Sequence, residues 1–199
     1  MKIKSLIIAL TLLVLTAVCG CQNNTTYEKD AKLYGTHTAL MTVKDYGEIK
    51  IELYGDIAPV TVANFVNLIK RGFYNGLTFH RAIDGYILQG GDPKGDGTGN
   101  SYTKIYGEFK NNGWENNLSH KRGVLSMARA RNKNSASCQF FIMVSDETRL
   151  DGDYAAFGKV IEGMDVIDNI MKSVKNDDPN GMLSSDKQPV IERIEMLTE

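Results

Sequence analysis

The sequence predicts a mainly β fold, an antiparallel sheet closed as a barrel with two helices set apart along the chain. Three observations predict it. Short apolar or alternating runs of strand length recur from Ala39 to Leu197. Turn residues such as Asp45-Tyr46-Gly47 and Asp84-Gly85 separate neighbouring runs. Only two segments carry the 3.6-residue period of an amphipathic helix. Many closely spaced strands with few helices imply closure, which removes exposed strand edges.

Residues 39–43 read as a strand, and residues 48–53 alternate polar and apolar as a half-buried strand does. The turn between them makes a hairpin. Val62, Phe65, Val66 and Ile69 stand at i, i+3, i+4 and i+7, one face of a helix. Thr61 is placed to cap its first turn, Lys70 and Arg71 suit the negative end of its dipole, and Gly72 suits a left-handed stop. Strands are expected at 77–83 and 86–90 around Asp84-Gly85, followed by a glycine-rich loop to Asn100. Further strands are expected at 123–128, 139–143 and 156–160. The second helix runs from Met164 to Met171 with Val166, Ile167 and Ile170 as its apolar face. A polar loop covers 176–188, and a strand at 190–197 closes the chain.

The N-terminus is organised differently. Met1-Lys2-Ile3-Lys4 is basic and residues 5–18 are almost continuously apolar. That run is shorter than the roughly 20 residues a span needs, and it fits the apolar core of a secretory signal. It ends in Val18-Cys19-Gly20-Cys21-Gln22. A small residue before a cysteine resembles the bacterial lipobox, which implies lipidation of Cys21; Cys19, preceded by Val18, fits less well. Residues 1–20 are therefore expected to be a lipoprotein signal peptide, 21–36 the lipidated cysteine and a flexible tether, and 37–199 the folded domain. Several acyl chains on Cys21 anchor a protein to a membrane without spanning it, here at the extracytoplasmic face.

About 165 residues remain beyond the tether, which suits one domain with one core. A net charge of −1 gives no electrostatic footprint for a nucleic-acid partner. Of three cysteines only Cys138 lies in the folded part, so no intradomain disulfide forms; within the apolar run Cys138-Gln139-Phe140-Phe141-Ile142 it reads as a small buried hydrophobe, not a nucleophile. The glycine-rich loop lacks the Gly-Lys-Ser/Thr ending of a phosphate loop, and Lys94 breaks the acidic alternation of a calcium loop. No cofactor or metal is implied.

The most informative stretch is Phe79-His80-Arg81-Ala82-Ile83-Asp84-Gly85-Tyr86-Ile87-Leu88-Gln89-Gly90-Gly91-Asp92. It sets an arginine eight residues before a glutamine, with apolar residues between them and a double glycine after. It resembles the signature of the cyclophilin-type peptidyl-prolyl cis-trans isomerases. Gly123-Val124-Leu125-Ser126-Met127-Ala128, Ser137-Cys138-Gln139-Phe140-Phe141-Ile142 and Leu150-Asp151-Gly152 with Phe157-Gly158-Lys159-Val160 resemble further segments of that family, in its order and at nearly its spacing.

The resemblance implies an eight-stranded antiparallel barrel with a helix over each end, and acceleration of X–Pro bond rotation in proline-containing polypeptides by a monomer. It implies that Arg81 is the catalytic arginine and that Gln89 holds substrate backbone and orients it. Phe141, Tyr86, Ile87 and Leu150 match positions lining the proline pocket. Ala128, Arg129 and Ala130 match the segment beside the substrate, Gln139 a substrate-side polar residue, and Gly97 a loop glycine near the pocket. His80 belongs to the motif but is expected to face the core. Arg149 stands where many eukaryotic members carry a tryptophan that contacts cyclosporin, which argues against tight cyclosporin binding. Tyr154 stands where they carry a histidine bordering the pocket, and keeps an aromatic ring with a polar tip. The alternative is a non-catalytic module or holdase that binds proline segments; the presence of Arg81, Gln89 and Phe141 favours the enzyme.

Overall fold

The computed structural model describes residues 31–174 and 178–198. The expected signal peptide and Cys21 lie outside them. Eight strands and two helices follow in the order β1 (Thr36–Val43), β2 (Gly47–Tyr54), α1 (Pro59–Lys70), β3 (Thr78–Ile83), β4 (Ile87–Asp92), β5 (Val124–Met127), β6 (Phe140–Met143), β7 (Ala156–Glu162), α2 (Met164–Ser173) and β8 (Ile191–Thr198). Each expected element is present, with no end moved by more than three residues. No helix among the described residues is long and apolar enough to cross a membrane. Leu33 is already docked: its N–H donates to Pro59 O and its side chain packs on the core.

The strands form one antiparallel sheet in the order β3-β4-β6-β5-β7-β2-β1-β8. The expectation of a closed barrel is corrected here. The sheet curls, but no ladder joins its edge strands β3 and β8. The seam is crossed instead by the chain before β8, through isolated bridges Thr78–Val190 and Arg81–Met182 and the bonds Phe79 N–H to Pro189 O and Leu183 N–H to His80 O. Two features of that segment explain the break. Pro189 has no N–H to extend a ladder, and a 3₁₀ turn at Ser185–Lys187 takes the chain out of the extended state.

The concave core is built by period-two alternation. Ala39, Met41 and Val43 of β1 and Ile49, Ile51 and Leu53 of β2 are at most 1 % exposed. Helix α1 sends Phe65 into this core, with ring centroids 5.0 Å from Tyr74, 5.4 Å from Phe140 and 5.1 Å from Phe157. Such aromatic pairs stabilise by about 0.5–1.5 kcal/mol beyond their buried area.

Thr61 does not cap α1. The helix begins two residues earlier at Pro59, and its N-cap Ala58 has no capping side chain. Proline is favoured at this position because its missing N–H is one the helix cannot satisfy anyway. The next two N–H groups are met by a distant residue: Glu108 accepts from Val60 N (3.0 Å), Thr61 N (2.8 Å) and Thr61 Oγ1 (2.7 Å). The helix ends as expected, with Gly72 at φ +65° just beyond Arg71.

The double glycine of the arginine motif is explained by close approach. A Cβ on Gly90 would stand 2.8 Å from the Phe79 ring and 2.9 Å from Thr78 O. One on Gly91, at φ +81°, would stand 2.8 Å from Cys138 O. Strand β4 thereby lies flat against its neighbours where the site residues begin.

Candidate functional site

The site is a row across the sheet. Arg81 of β3 is paired with Gln89 of β4, Gln89 with Phe141 of β6, and Phe141 with Ser126 of β5. Directly opposed residues share a face, so this row stands on the face opposite the main core. The alternation is sharp at Phe140-Phe141: Phe140 joins the large core cluster, while Phe141 joins a smaller one with Ile87, Val124, Met143 and Ala156. Tyr86, Ala128, Leu150 and Tyr154 pack against that smaller cluster.

These residues enclose a hollow of about 130 Å³, lined by Arg81, Tyr86, Ile87, Gln89, Ala128, Arg129, Phe141, Leu150 and Tyr154. A second hollow of about 330 Å³ adjoins it, sharing Gln89, Ala128 and Arg129 and adding Gly97, Ala130 and Gln139 among others. Every residue expected at the site from sequence therefore lines one hollow or the other. Arg149 lines neither; it pairs with Glu147 through Nε (2.8 Å) and Nη2. His80 is fully buried, and burial lowers its pKa.

Arg81 is held on two sides. Its Nε donates to Asn180 O (2.6 Å) and its Nη1 to Gln89 Oε1 (3.0 Å). The chain of bonds continues from Gln89 Nε2 to Gln139 Oε1 (2.9 Å), then from Gln139 Nε2 to Gly97 O (3.1 Å) and Gly99 O (2.9 Å). Each amide turns its oxygen toward the arginine and its NH₂ away, so the two fixed carbonyls at the far end set the orientation of the whole relay. Arg129 is clamped differently. Its Nε donates to Asp153 O and its Nη1 to Ala130 O, and its guanidinium carbon lies 5.1 Å from the Phe109 ring and 4.8 Å from the Tyr154 ring.

Three structural residues were not anticipated, two of them at the site. Asn180, in the expected polar loop, fixes Arg81 through its carbonyl, a contact no side-chain motif announces. Glu108 secures the start of α1. His120 lies beneath the Phe141 ring at 6.1 Å and 20°, with Nδ1 2.8 Å from Asp151 Oδ1 and Nε2 3.0 Å from Ser126 Oγ. Asp151 also accepts from His120 N and Ser119 Oγ. The network ties the floor of the smaller hollow to the turn that carries Leu150.

Burial lowers the His120 pKa below 6.5 against the pull of Asp151, which keeps the ring neutral at pH 7. Between that lowered value and 6.5 the unfolded chain binds more protons at this site, so its contribution to stability rises with pH. The carboxyl of Asp151, drawn below 3.8 by its donors despite burial, acts at lower pH. The expected result is a wild-type melting temperature that rises between pH 5 and 7 more steeply than that of His120→Gln. Parallel profiles in thermal melts would overturn the assignment.

Comparison with known proteins agrees with this geometry. Residues 38–196 match the family model described as cyclophilin type peptidyl-prolyl cis-trans isomerase/CLD. The chain is 44 % identical over 149 residues to a peptidyl-prolyl cis-trans isomerase of Helicobacter pylori, covering 73 % of this chain and 87 % of that one. It is 41 % identical over 143 residues to peptidyl-prolyl cis-trans isomerase B of Bacillus subtilis, covering 69 % and 96 %. A crystal structure of a cyclophilin type peptidyl-prolyl cis-trans isomerase from Cryptosporidium parvum superposes with a TM-score of 0.72 at 30 % identity, over 83 % of this chain and 99 % of that one. The same protein in the presence of the dipeptide Ala-Pro superposes with a TM-score of 0.71 at 30 % identity, over 81 % and 99 %. The matched span runs from β1 through β8 and contains the whole Arg81–Gln89–Phe141 row, and the chain belongs to the cyclophilin-type peptidyl-prolyl cis-trans isomerases.

Proposed function

We propose that the domain isomerises X–Pro bonds with Arg81 as the catalytic residue and Gln89 as its partner, on exported polypeptides that reach it at the extracytoplasmic face of a bacterial membrane. Rotation about X–Pro must break amide resonance, a barrier of about 20 kcal/mol. No bond is made or cleaved, so the site has only to bind the twisted amide better than either planar form. The twist leaves the prolyl nitrogen pyramidal and more basic. A cationic donor aimed at it favours the twisted state, and each tenfold in rate needs about 1.4 kcal/mol of such preference.

The observation that carries the reading is the placement of Arg81. A guanidinium held by Asn180 O and Gln89 Oε1 lines the same hollow as Phe141, Ile87 and Leu150. A small apolar ring seated against those three side chains brings its own nitrogen to the arginine. Tyr86 and Tyr154 complete the wall, and Ala128, Arg129, Ala130, Gln139 and Gly97 extend it along the substrate. The Ala-Pro dipeptide present with the Cryptosporidium relative supports proline-containing peptides as the substrate class. The test is the isomerisation rate of a short unfolded X–Pro peptide with the domain and with Arg81→Ala. Background rates for both would overturn the reading.

The location rests on residues 1–22, whose basic start, apolar run and Gly20-Cys21 ending fit a lipoprotein signal. Acylated Cys21 holds the domain at the surface while the catalytic face stays in water. Cys21→Ala is expected to move the protein from the membrane fraction to the soluble exported or culture fraction with its peptide activity intact. Unchanged partition into detergent would overturn the anchor.

A further inference from the structure

The second hollow has a chemistry of its own. Two cationic side chains, Lys104 and Arg129, are among the residues that line it, and no anionic one is. Its remaining walls are glycine, alanine and uncharged polar groups such as Asn100, Ser135 and Gln139. Among the ion pairs of the described residues none involves Lys104 or Arg129. Arg129 spends two donors on carbonyl oxygens, which leave its charge in place, and the rings of Phe109 and Tyr154 fix its plane. Lys104 is exposed, as is Arg131 just beyond Ala130. The carboxylates on the loop that carries Gly97 are engaged with that loop: Asp92 accepts from the N–H groups of Lys94, Asp96 and Gly97, and Asp96 from Thr98 N and Oγ1.

This hollow is continuous with the smaller one through Gln89, Ala128 and Arg129. An extended peptide advances roughly 3.3–3.6 Å per residue, so a chain with proline in the smaller hollow carries a side chain two or three residues away into the larger one. We infer that the second hollow selects an aspartate or glutamate two or three residues from the isomerising proline, with Lys104 and Arg129 as the residues that choose it. The inference rests on the proline-site reading and adds to it a preference for acidic substrates.

The test uses peptides identical except for one residue, Glu, Gln or Lys, moved through the three positions on either side of proline. The readout is the ratio of kcat/KM for the Glu and Lys peptides, which cancels any general loss in a variant. At low salt the ratio is expected to reach about three- to tenfold at a position two or three residues from proline, the size of a partly exposed ion pair. It is expected to shrink toward one near 0.5 M salt, where the screening length falls to about 4 Å, and to be lost or inverted in Lys104→Glu. A ratio near one at every position, or one unchanged in Lys104→Glu, would overturn the inference. The Gln peptide separates the two readings. Its turnover with a flat Glu-to-Lys ratio sinks only the acidic preference, whereas no turnover of the Gln peptide sinks both.

Discussion

Arg81→Ala is expected to lower kcat/KM for an X–Pro peptide by about 10²–10³-fold, while the domain stays folded. The magnitude follows from what the group is asked to supply. Removing one preorganised donor from a charge-developing site costs roughly 3–4 kcal/mol, and each 1.4 kcal/mol is tenfold in rate. The fold should survive because Arg81 is only half-buried at the edge strand β3 and makes no ion pair among the described residues. The backbone pairings of β3 with β4 do not depend on its side chain. Arg81→Lys is the sharper probe. A lysine keeps the charge but presents one compact ammonium in place of a planar fork, so it cannot hold Asn180 O, hold Gln89 Oε1 and address a third atom in the same geometry. We expect Arg81→Lys to recover less than a tenth of the lost activity, with KM changed less than kcat. Wild-type kcat in either variant, measured by exchange NMR on a single peptide, would remove Arg81 from the mechanism.

How far the sequence carried depends on whether a feature is local. The row Arg81–Gln89–Phe141 was legible through the motifs that resemble the cyclophilin family; the strand period by itself would not have singled out Arg81, because β3 carries a register shift between Phe79 and Arg81. The hairpin of β1 and β2 and the apolar face of α1 were legible from their periods. The start of α1 was misplaced because Thr61 is a good capping residue and looks sufficient by itself. Nothing near it reveals that a carboxylate 47 residues away reaches the same N–H groups. Closure of the barrel was overread for a related reason. Eight strands permit closure, but whether edges pair depends on what lies opposite β3, and that is a segment containing Pro189 and a 3₁₀ turn. Asn180 was invisible because it acts through its backbone carbonyl, which every residue has. His120 carried no local signal either; its role appears only when residues 120, 126, 141 and 151 are brought together. The matched positions line the two hollows, but the charge of the larger one comes from Lys104 and Arg129, which stand on separate loops.

Glu108→Ala is expected to be the most destabilising substitution outside the aromatic core. Glu108 is completely buried and its carboxylate takes three bonds, two from the first free N–H groups of α1 and one from Thr61 Oγ1. The variant strands those donors in a site closed to water. An unsatisfied buried donor costs about 1–3 kcal/mol, and helix α1 has no capping side chain of its own to compensate. The expected loss is about 3 kcal/mol, or roughly 10 °C in melting temperature for a domain of this size. The loss should also carry a pH signature. Burial raises the Glu108 pKa above 4.5, although the bonds from Thr61 and Val60 and the charge of Lys32 pull the other way. A carboxyl whose folded value is raised binds its proton more tightly in the native state than in the unfolded chain. Its contribution to stability therefore falls as pH rises from 4.5 through the raised value, then levels off. Glu108→Ala removes that slope, so wild type and variant should lie furthest apart at the acid end of the window and closer above it. A difference that grows with pH would mean the donors, not burial, dominate the carboxyl. A variant as stable as the wild type in thermal and denaturant unfolding would mean that α1 is held by Phe65 and its neighbours alone, and the long-range cap would lose its structural role.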